Sequence, residues 1–328
     1  MRTSIRLRCL EHGLPITRIV HDDLYACSSG CAYPIVNAIP RFVSEAVYVQ
    51  SFGLQWNEYR TTQLDSFNGT SVSRRRLERL LGGPLNILNG KEVLEAGCGA
   101  GRFTELMLAA GAHIFAVDLS QAVEANYANC SRYPNYFLCQ ADILKLPLWP
   151  GQFDVVVCIG VVQHTPNPED TMRVLCSHLK PGGILIIDHY TYGYATTLSR
   201  RFLRSWLLRM SPRFSIVFCR KLVATLWPMH RVLWKLRSRS SVQIVRRYFL
   251  RLSPVVDYQD IYRQLNEKMV RTWAMLDTHD TLTDFYKHMR SADEISKHLR
   301  TCGMIRIKTS YAGNGVEVRA RRSSTHAN

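Results

Sequence analysis

A run of glycines between an apolar strand and a helix constrains this chain more tightly than any other feature. Val93-Leu94-Glu95-Ala96 reads as a buried strand, and Gly97-Cys98-Gly99-Ala100-Gly101 follows it directly. Glycine tolerates positive φ and presents bare backbone, so such a turn lets the chain reverse sharply and lets a ligand lie against it. The helix expected over Arg102–Ala110 stops at Gly111, where a C-terminal glycine belongs. Asp118 ends the next strand, His113–Val117. In an open α/β sheet both features fall at the carboxyl ends of neighbouring strands, which is where such folds bind ligands.

The alternation continues beyond Asp118. Asn135–Cys139, Phe153–Ile159 and Ile184–Asp188 read as strands, and Glu169–Leu179 reads as a helix closed by Lys180-Pro181-Gly182-Gly183. Strands alternating with helices predict a doubly wound parallel sheet of the α/β class. Near the carboxyl end, a helix over Ser291–Thr301 precedes the strand pair MIRIKTSYA and GVEVRARR, which turn around Gly313-Asn314-Gly315. Five regions follow from the pattern: a turn-rich segment at 1–45, a helical linker or cap at 46–90, the α/β core at 91–190, a basic helical insertion at 191–290, and a helix with a strand pair at 291–328 that completes the core.

The detail of the glycine turn narrows its ligand. A dinucleotide fingerprint presents helix-terminal amides to a pyrophosphate. Glu95 before the first glycine would repel a pyrophosphate but suits an ammonium group, and Asp142 after the third strand suits an adenine amino group. VLEAGCGAGRFTELMLAAGAHIFAVDLS resembles the first two motifs of class I methyltransferases, and QADILKLPLWPGQFDVVVCIGVVQHTPNPEDTMRVLCSHLKPGGILIIDHY resembles the following ones. The resemblance is to the type 11, UbiE-like branch. It implies a Rossmann-like sheet of seven strands and S-adenosylmethionine as cofactor, with Gly97, Gly99 and Gly101 as the floor of its site. The implied contacts are Glu95, Gly97, Cys98, Gly99, Gly101, Asp118, Leu119, Asp142, Ile143 and Ile159.

Two histidines stand out as candidate bases. His164 directly follows the fourth strand, at the mouth where a methyl group should lie. Packing against the cofactor is the alternative for it. The polar stretch Leu276–His288, with two His, three Asp, a Tyr and a Lys, looks like the Asp-rich loop that similar family members place over the acceptor. Within it His279 is the favoured base, and a solvated loop is the alternative. Trp56 and Arg60 are candidates for walling the cofactor's carboxylate end.

Cys9-Leu10-Glu11-His12 and Cys27-Ser28-Ser29-Gly30-Cys31 form two close pairs with the donor types of structural zinc sites. The sequence Tyr33–Val43 resembles the tail of the small zinc-ribbon domains that accompany methyltransferases. His12 departs from the usual Cys-x-x-Cys pair, and a metal-free remnant is the alternative. The other cysteines are scattered through apolar segments and read as small core hydrophobes.

The formal net charge of +16 requires a partner or a location to explain it, and much of the excess sits between Arg200 and Arg251. Phe202–Arg209 and Leu226–Leu236 mix apolar and basic residues at helical spacing. This fits a lid whose apolar side is core, a surface lying on anionic lipid, or a nucleic-acid face. No apolar run is long enough to span a bilayer and the amino terminus has no apolar run behind its arginines, so the expected location is cytoplasmic, with membrane-peripheral contact open. The leading expectation is methyl transfer to a small-molecule acceptor, a hydroxyl of a sugar, glycan precursor or secondary metabolite. An RNA methyltransferase and a non-catalytic cofactor-fold binder are the alternatives. Oligomeric state is open.

Overall fold

The computed structural model describes residues 5–43, 50–192 and 197–324; the boundary expected at residue 45 lies outside them. At the amino end, β1 (Ile16–Ile19), β2 (Leu24–Cys27), β3 (Ala32–Val36) and β4 (Ile39–Pro40) form an antiparallel meander. Helices α1 (Gln50–Glu58), α2 (Asp65–Asn68) and α3 (Val72–Leu81) follow. The Asp65 carboxylate accepts from the amides of Ser73 and Arg74 at 3.0 and 2.8 Å and so satisfies the first turn of α3.

The core is one sheet built from β5 (Glu92–Ala96), β6 (His113–Asp118), β7 (Tyr136–Gln140), β8 (Phe153–Cys158), β9 (Leu179–Tyr190), β10 (Met304–Ala312) and β11 (Gly315–Arg322). Its order is β10-β11-β9-β8-β5-β6-β7, with β5 to β9 parallel and β11 antiparallel between β9 and β10. The fold class matches the expectation, although β9 begins five residues earlier than expected because Lys180–Gly183 continues the strand. Alternate residues feed opposite faces. Leu94, Phe115 and Val156 enter one apolar core, whereas Val93, Ile114 and Val155 enter the other. Helices α4 (Thr104–Ala109), α5 (Ala122–Cys130), α6 (Pro168–His178) and α11 (Ala292–Thr301) cover those faces. The order reverses at β5, which has β6 on one side and β8 on the other, and this switch point opens a crevice at the carboxyl ends.

The amino-terminal meander is fused to the edge strand β7. The Phe42 amide donates to the Gln140 carbonyl at 2.8 Å, and Phe42 packs on Tyr33 with ring centroids 5.0 Å apart. Phe42, Cys9, Ile16 and Cys27 belong to the same core as Phe115 and Phe153, so this segment shares its apolar interior with the sheet.

Between β9 and α11 the chain forms α7 (Leu198–Leu207), α8 (Pro212–Lys235), α9 (Ser240–Leu252) and α10 (Glu267–Thr283). Leu207, Ile216, Val223, Trp227, Trp273 and Leu282 make a third core with Val72 of α3. The stretch from Leu276 to Thr283, expected as a loop, is the last two turns of α10. Its polar residues alternate with Leu276, Thr278 and Leu282, which are buried, so the helical period satisfies both faces. Among the described residues no helix is long and apolar enough to cross a membrane.

Candidate functional site

The glycine turn is held by a carboxylate. The Gly99 amide donates to Asp118 Oδ2 at 2.9 Å, while the Ser120 amide and hydroxyl donate to Oδ1 at 2.8 and 2.7 Å. These bonds occupy three of the roughly four acceptor sites of a carboxylate, so Asp118 is oriented without being saturated. Burial raises its pKa, against the lowering effect of the Ser120 and Gly99 donors.

The three glycines do different work. Gly97 has φ +76°, and a Cβ there would stand 2.3 Å from Val161 Cγ2, so this position lets the segment after β8 approach. A Cβ on Gly99, at φ +49°, would point into open space with only Trp56 Nε1 nearby, at 3.8 Å. Gly99 is therefore the cradle that a side chain would fill. Gly101, expected in the floor, faces Cys130 and Asn126 of α5 instead and serves helix packing.

Glu95 also differs from expectation. It lies behind the turn, where Thr104 Oγ1 donates to Oε2 at 2.6 Å, and it does not line the cavity. Asn126 Nδ2 donates to the same Thr104 oxygen at 3.1 Å, and Tyr136 donates to Asn126 at 2.7 Å. Burial raises the Glu95 carboxyl to about 8. Buried in this relay, Glu95 braces the turn from behind.

The crevice opens into a cavity of about 1510 Å³ of non-atom space, mouth included. Gly97, Cys98, Gly99, Asp118, Leu119, Asp142, Ile143, Ile159 and His164 all line it. Asp142 accepts from the Leu144 amide at 2.8 Å, which fixes its carboxylate at the rim beside apolar Leu119 and Ile143. Trp56 and Arg60 line the same cavity.

The helical insertion supplies the opposite wall through Tyr258, Tyr262, Trp273, Asp277 and Asp280. Trp273, Asp277 and Asp280 are spaced four and three apart along α10 and share one face. Burial raises the pKa of Asp277 and lifts that of Asp280 well above the carboxylate range, helped for Asp280 by Asp284 and Asp277. His279 sits on another face of α10. Its Nδ1 pairs with Gln55 Oε1 of α1, it is buried, and burial lowers its pKa to about 4. It does not line the cavity, which removes the expected base from contact with an acceptor.

His164 has the geometry that His279 lacks. Its Nδ1 lies 3.0 Å from the Tyr286 carbonyl oxygen, an acceptor only, so the proton sits on Nδ1 and Nε2 carries the lone pair. The ring stands edge-on to Tyr190 at 5.2 Å and against Phe52 at 5.7 Å. Burial lowers its pKa, opposed by Asp284, whose carboxylate is 3.7 Å from Nδ1. Asp284 is itself held by Arg204 at 2.8 Å and Lys287 at 3.0 Å.

Two arginines on the wall were not singled out by the sequence. Arg76 pairs with buried Asp188, which accepts from the Gly160 amide at 2.5 Å. Arg102 donates to Ser73 Oγ at 2.9 Å and Gln63 Oε1 at 3.0 Å, between the rings of Phe103 and Trp273. Burial lowers the Arg102 pKa to about 10, with Arg76 adding to the effect. Reading 273, 277 and 280 as one helical face would have exposed the Asp pair in the sequence. The arginines carry no such signal, because their position depends on how α3 and α10 dock.

At the amino end, Cys9, His12, Cys27 and Cys31 bring one donor atom each within 4.8 Å of one another. The three sulfurs lie 3.7, 3.7 and 3.4 Å from His12 Nδ1. A tetrahedral zinc site with ordinary Zn–S and Zn–N bonds separates such atoms by about 3.6 Å. The donor set fits that metal.

Residues 94–187 match the methyltransferase domain family. The chain is 32% identical over 130 residues to the ubiquinone biosynthesis O-methyltransferase of Azoarcus sp. (strain BH72), a match covering 38% of this chain and 55% of that protein. It is 34% identical over 124 residues to the protein of the same name from Idiomarina loihiensis, covering 37% and 47%. The chain thus spans about half the length of the curated relatives it matches. Among solved structures, magnesium protoporphyrin IX methyltransferase from Synechocystis PCC 6803 with bound SAH is similar at a TM-score of 0.44 and 16% identity, covering 84% of this chain and 97% of that one. The sheet order, the glycine turn and the matched segment together identify residues 94–187 as the core of a class I S-adenosylmethionine-dependent methyltransferase domain.

Proposed function

We propose that this protein transfers a methyl group from S-adenosylmethionine to a hydroxyl of a small molecule held between the sheet and the helical insertion. The observation that carries this is the open cradle at Gly99 beside the oriented Asp118 carboxylate, facing a wall of aromatic and acidic side chains. Bound there, S-adenosylmethionine supplies an electrophilic methyl group. Asp118 would accept from the ribose hydroxyls and Asp142 from the adenine amino group, with Leu119 and Ile143 against the ring. Trp56 and Arg60 would close the carboxylate end.

The acceptor would occupy the space bounded by His164, Tyr190, Tyr258, Tyr262, Trp273, Asp277 and Asp280. His164 takes the hydroxyl proton at Nε2, held for the task by its Nδ1–H bond to Tyr286 and by the nearby Asp284 carboxylate. Asp277 and Asp280, whose pKa values burial raises, line this space and would face the acceptor's polar groups. The insertion walls that space on one side, and the curated relatives named for O-methylation support a small oxygen acceptor. Cys9, His12, Cys27 and Cys31 hold a structural zinc that fastens the amino-terminal meander near β7.

Four outcomes are expected. Asp118→Ala weakens S-adenosylmethionine binding by about 1–3 kcal/mol in calorimetry; unchanged affinity contradicts the ribose assignment. His164→Ala lowers turnover about 10²-fold or more, with cofactor affinity nearly unchanged, in a labelled-methyl assay over hydroxyl-bearing small molecules. Because burial holds the His164 pKa below the ordinary histidine value, the base stays unprotonated to lower pH. The acid limb of turnover therefore lies below about pH 6.5, and a limb above it would count against His164. Metal analysis after chelator-free purification returns one zinc per chain, lost in Cys27→Ser together with stability of the amino-terminal meander. Zinc well below one per chain contradicts the metal site.

A further inference from the structure

The sequence from 189 to 256 contains no Asp or Glu, while 197–252 carry twelve arginines and two lysines. Some of these cations are matched by acids from elsewhere in the chain, as in Arg204 with Asp284, Arg231 with Glu267 and Arg246 with Asp260. Arg201, Arg213, Arg239, Arg247 and Arg251 are exposed and have no acidic partner among the described residues.

Helix α9 stands apart within this segment, because none of its 13 residues is buried. Its inner face is defined by Phe249, whose ring meets His230 at 4.7 Å, and by Arg246, which lies 2.7 Å from Asp260. The opposite face should be polar in a helix that meets only water. It carries instead Ile244, Val245, Tyr248 and Leu252, which are 59, 55, 59 and 68% exposed. At the helical period these four fall within an arc of about 100°, and Arg247 and Arg251 border it. Ser199 Oγ donates to the Leu252 carbonyl at 2.5 Å, setting the first turn of α7 beside the end of α9. The start of α7 adds Leu198 and Phe202, which are 75 and 74% exposed.

The occupant of this face must accept both aliphatic side chains and unmatched cations. A second copy of the chain would set like charges against one another. A nucleic acid would use the arginines, but Ile244, Val245, Leu198 and Leu252 offer nothing to phosphates or sugars. An anionic bilayer uses both sets, with the aliphatic groups among acyl chains and the guanidinium groups at the headgroup phosphates. Tyr248 is a residue that such interfaces favour. We propose that the outer face of α9, extended by the start of α7, docks on the surface of an anionic lipid bilayer. This inference does not depend on the methyl-transfer reading.

The test is co-sedimentation of the full chain with phosphatidylcholine vesicles, with and without phosphatidylglycerol. The chain should pellet with the phosphatidylglycerol vesicles, remain largely free with pure phosphatidylcholine, and detach as salt rises. I244D/Y248D should weaken that binding at least tenfold, as should R247E/R251E. Both variants should keep the parent thermal midpoint and S-adenosylmethionine affinity, since the altered residues are mostly exposed and line no part of the cavity. Equal binding to both vesicle types, absence of binding, or full binding by I244D/Y248D overturns the proposal. So does a chain that shifts a single-stranded RNA but ignores anionic vesicles.

Discussion

The bond from the Gly99 amide to the Asp118 carboxylate ties the end of β6 to the turn after β5, and the geometry of the crevice depends on it. Parallel strands of this sheet end in loops that have no reason to lie close to one another. Here the Gly97 and Cys98 amides both donate to the Val117 carbonyl, at 2.7 and 3.0 Å, and the Gly99 amide goes to the next residue's side chain. Three successive amides are thus spent on one strand end. The turn that results is stiff on the sheet side and bare on the other, which is what a ligand lying against backbone needs. Beneath it the Tyr136–Asn126–Thr104–Glu95 relay joins β7, α5, α4 and β5, so the buried support of the turn comes from four elements of the core.

The other wall is organised by charge. Asp188 at the end of β9 accepts from Gly160 and pairs with Arg76, and Glu317 on β11 accepts from Arg79 at 2.8 and 2.6 Å. Through these pairs α3 is fixed to the sheet, and Arg102 links Ser73 of α3 to the ring of Trp273 on α10. The Asp face of α10 is therefore positioned from the sheet through a buried chain of arginines. Breaking a buried pair of this kind leaves an uncompensated charge and costs more than the pair itself contributes.

The sheet and the crevice at its carboxyl edge were legible because their signals are local. Glycines after VLEA, an acid at the end of the next strand and apolar runs of strand length each report on a few consecutive residues. The cysteine and histidine spacing was local too, and its four donors converge. What was misread depends on facing. Glu95 and Gly101 sit in the expected turn but point into the core, and only the docking of α4 and α5 decides that. The sequence shows the chemistry of His279 but not its facing. Helix α10 turns His279 to Gln55, leaving Asp277 and Asp280 on the cavity. The outward apolar face of α9 was hidden for a similar reason, since composition cannot say which side of an amphipathic helix meets the body.

The central claim is that the crevice at Gly97–Gly99 and Asp118 is the cofactor site and that His164 faces its reacting end. A crystal structure of the full chain with S-adenosylhomocysteine tests it most directly. The account predicts ribose hydroxyls within hydrogen-bond reach of Asp118, adenine beside Asp142 and Ile143, and the sulfur turned toward His164 Nε2 and the Asp277–Asp280 wall. A ligand bound elsewhere, or one whose sulfur is turned away from His164, contradicts it.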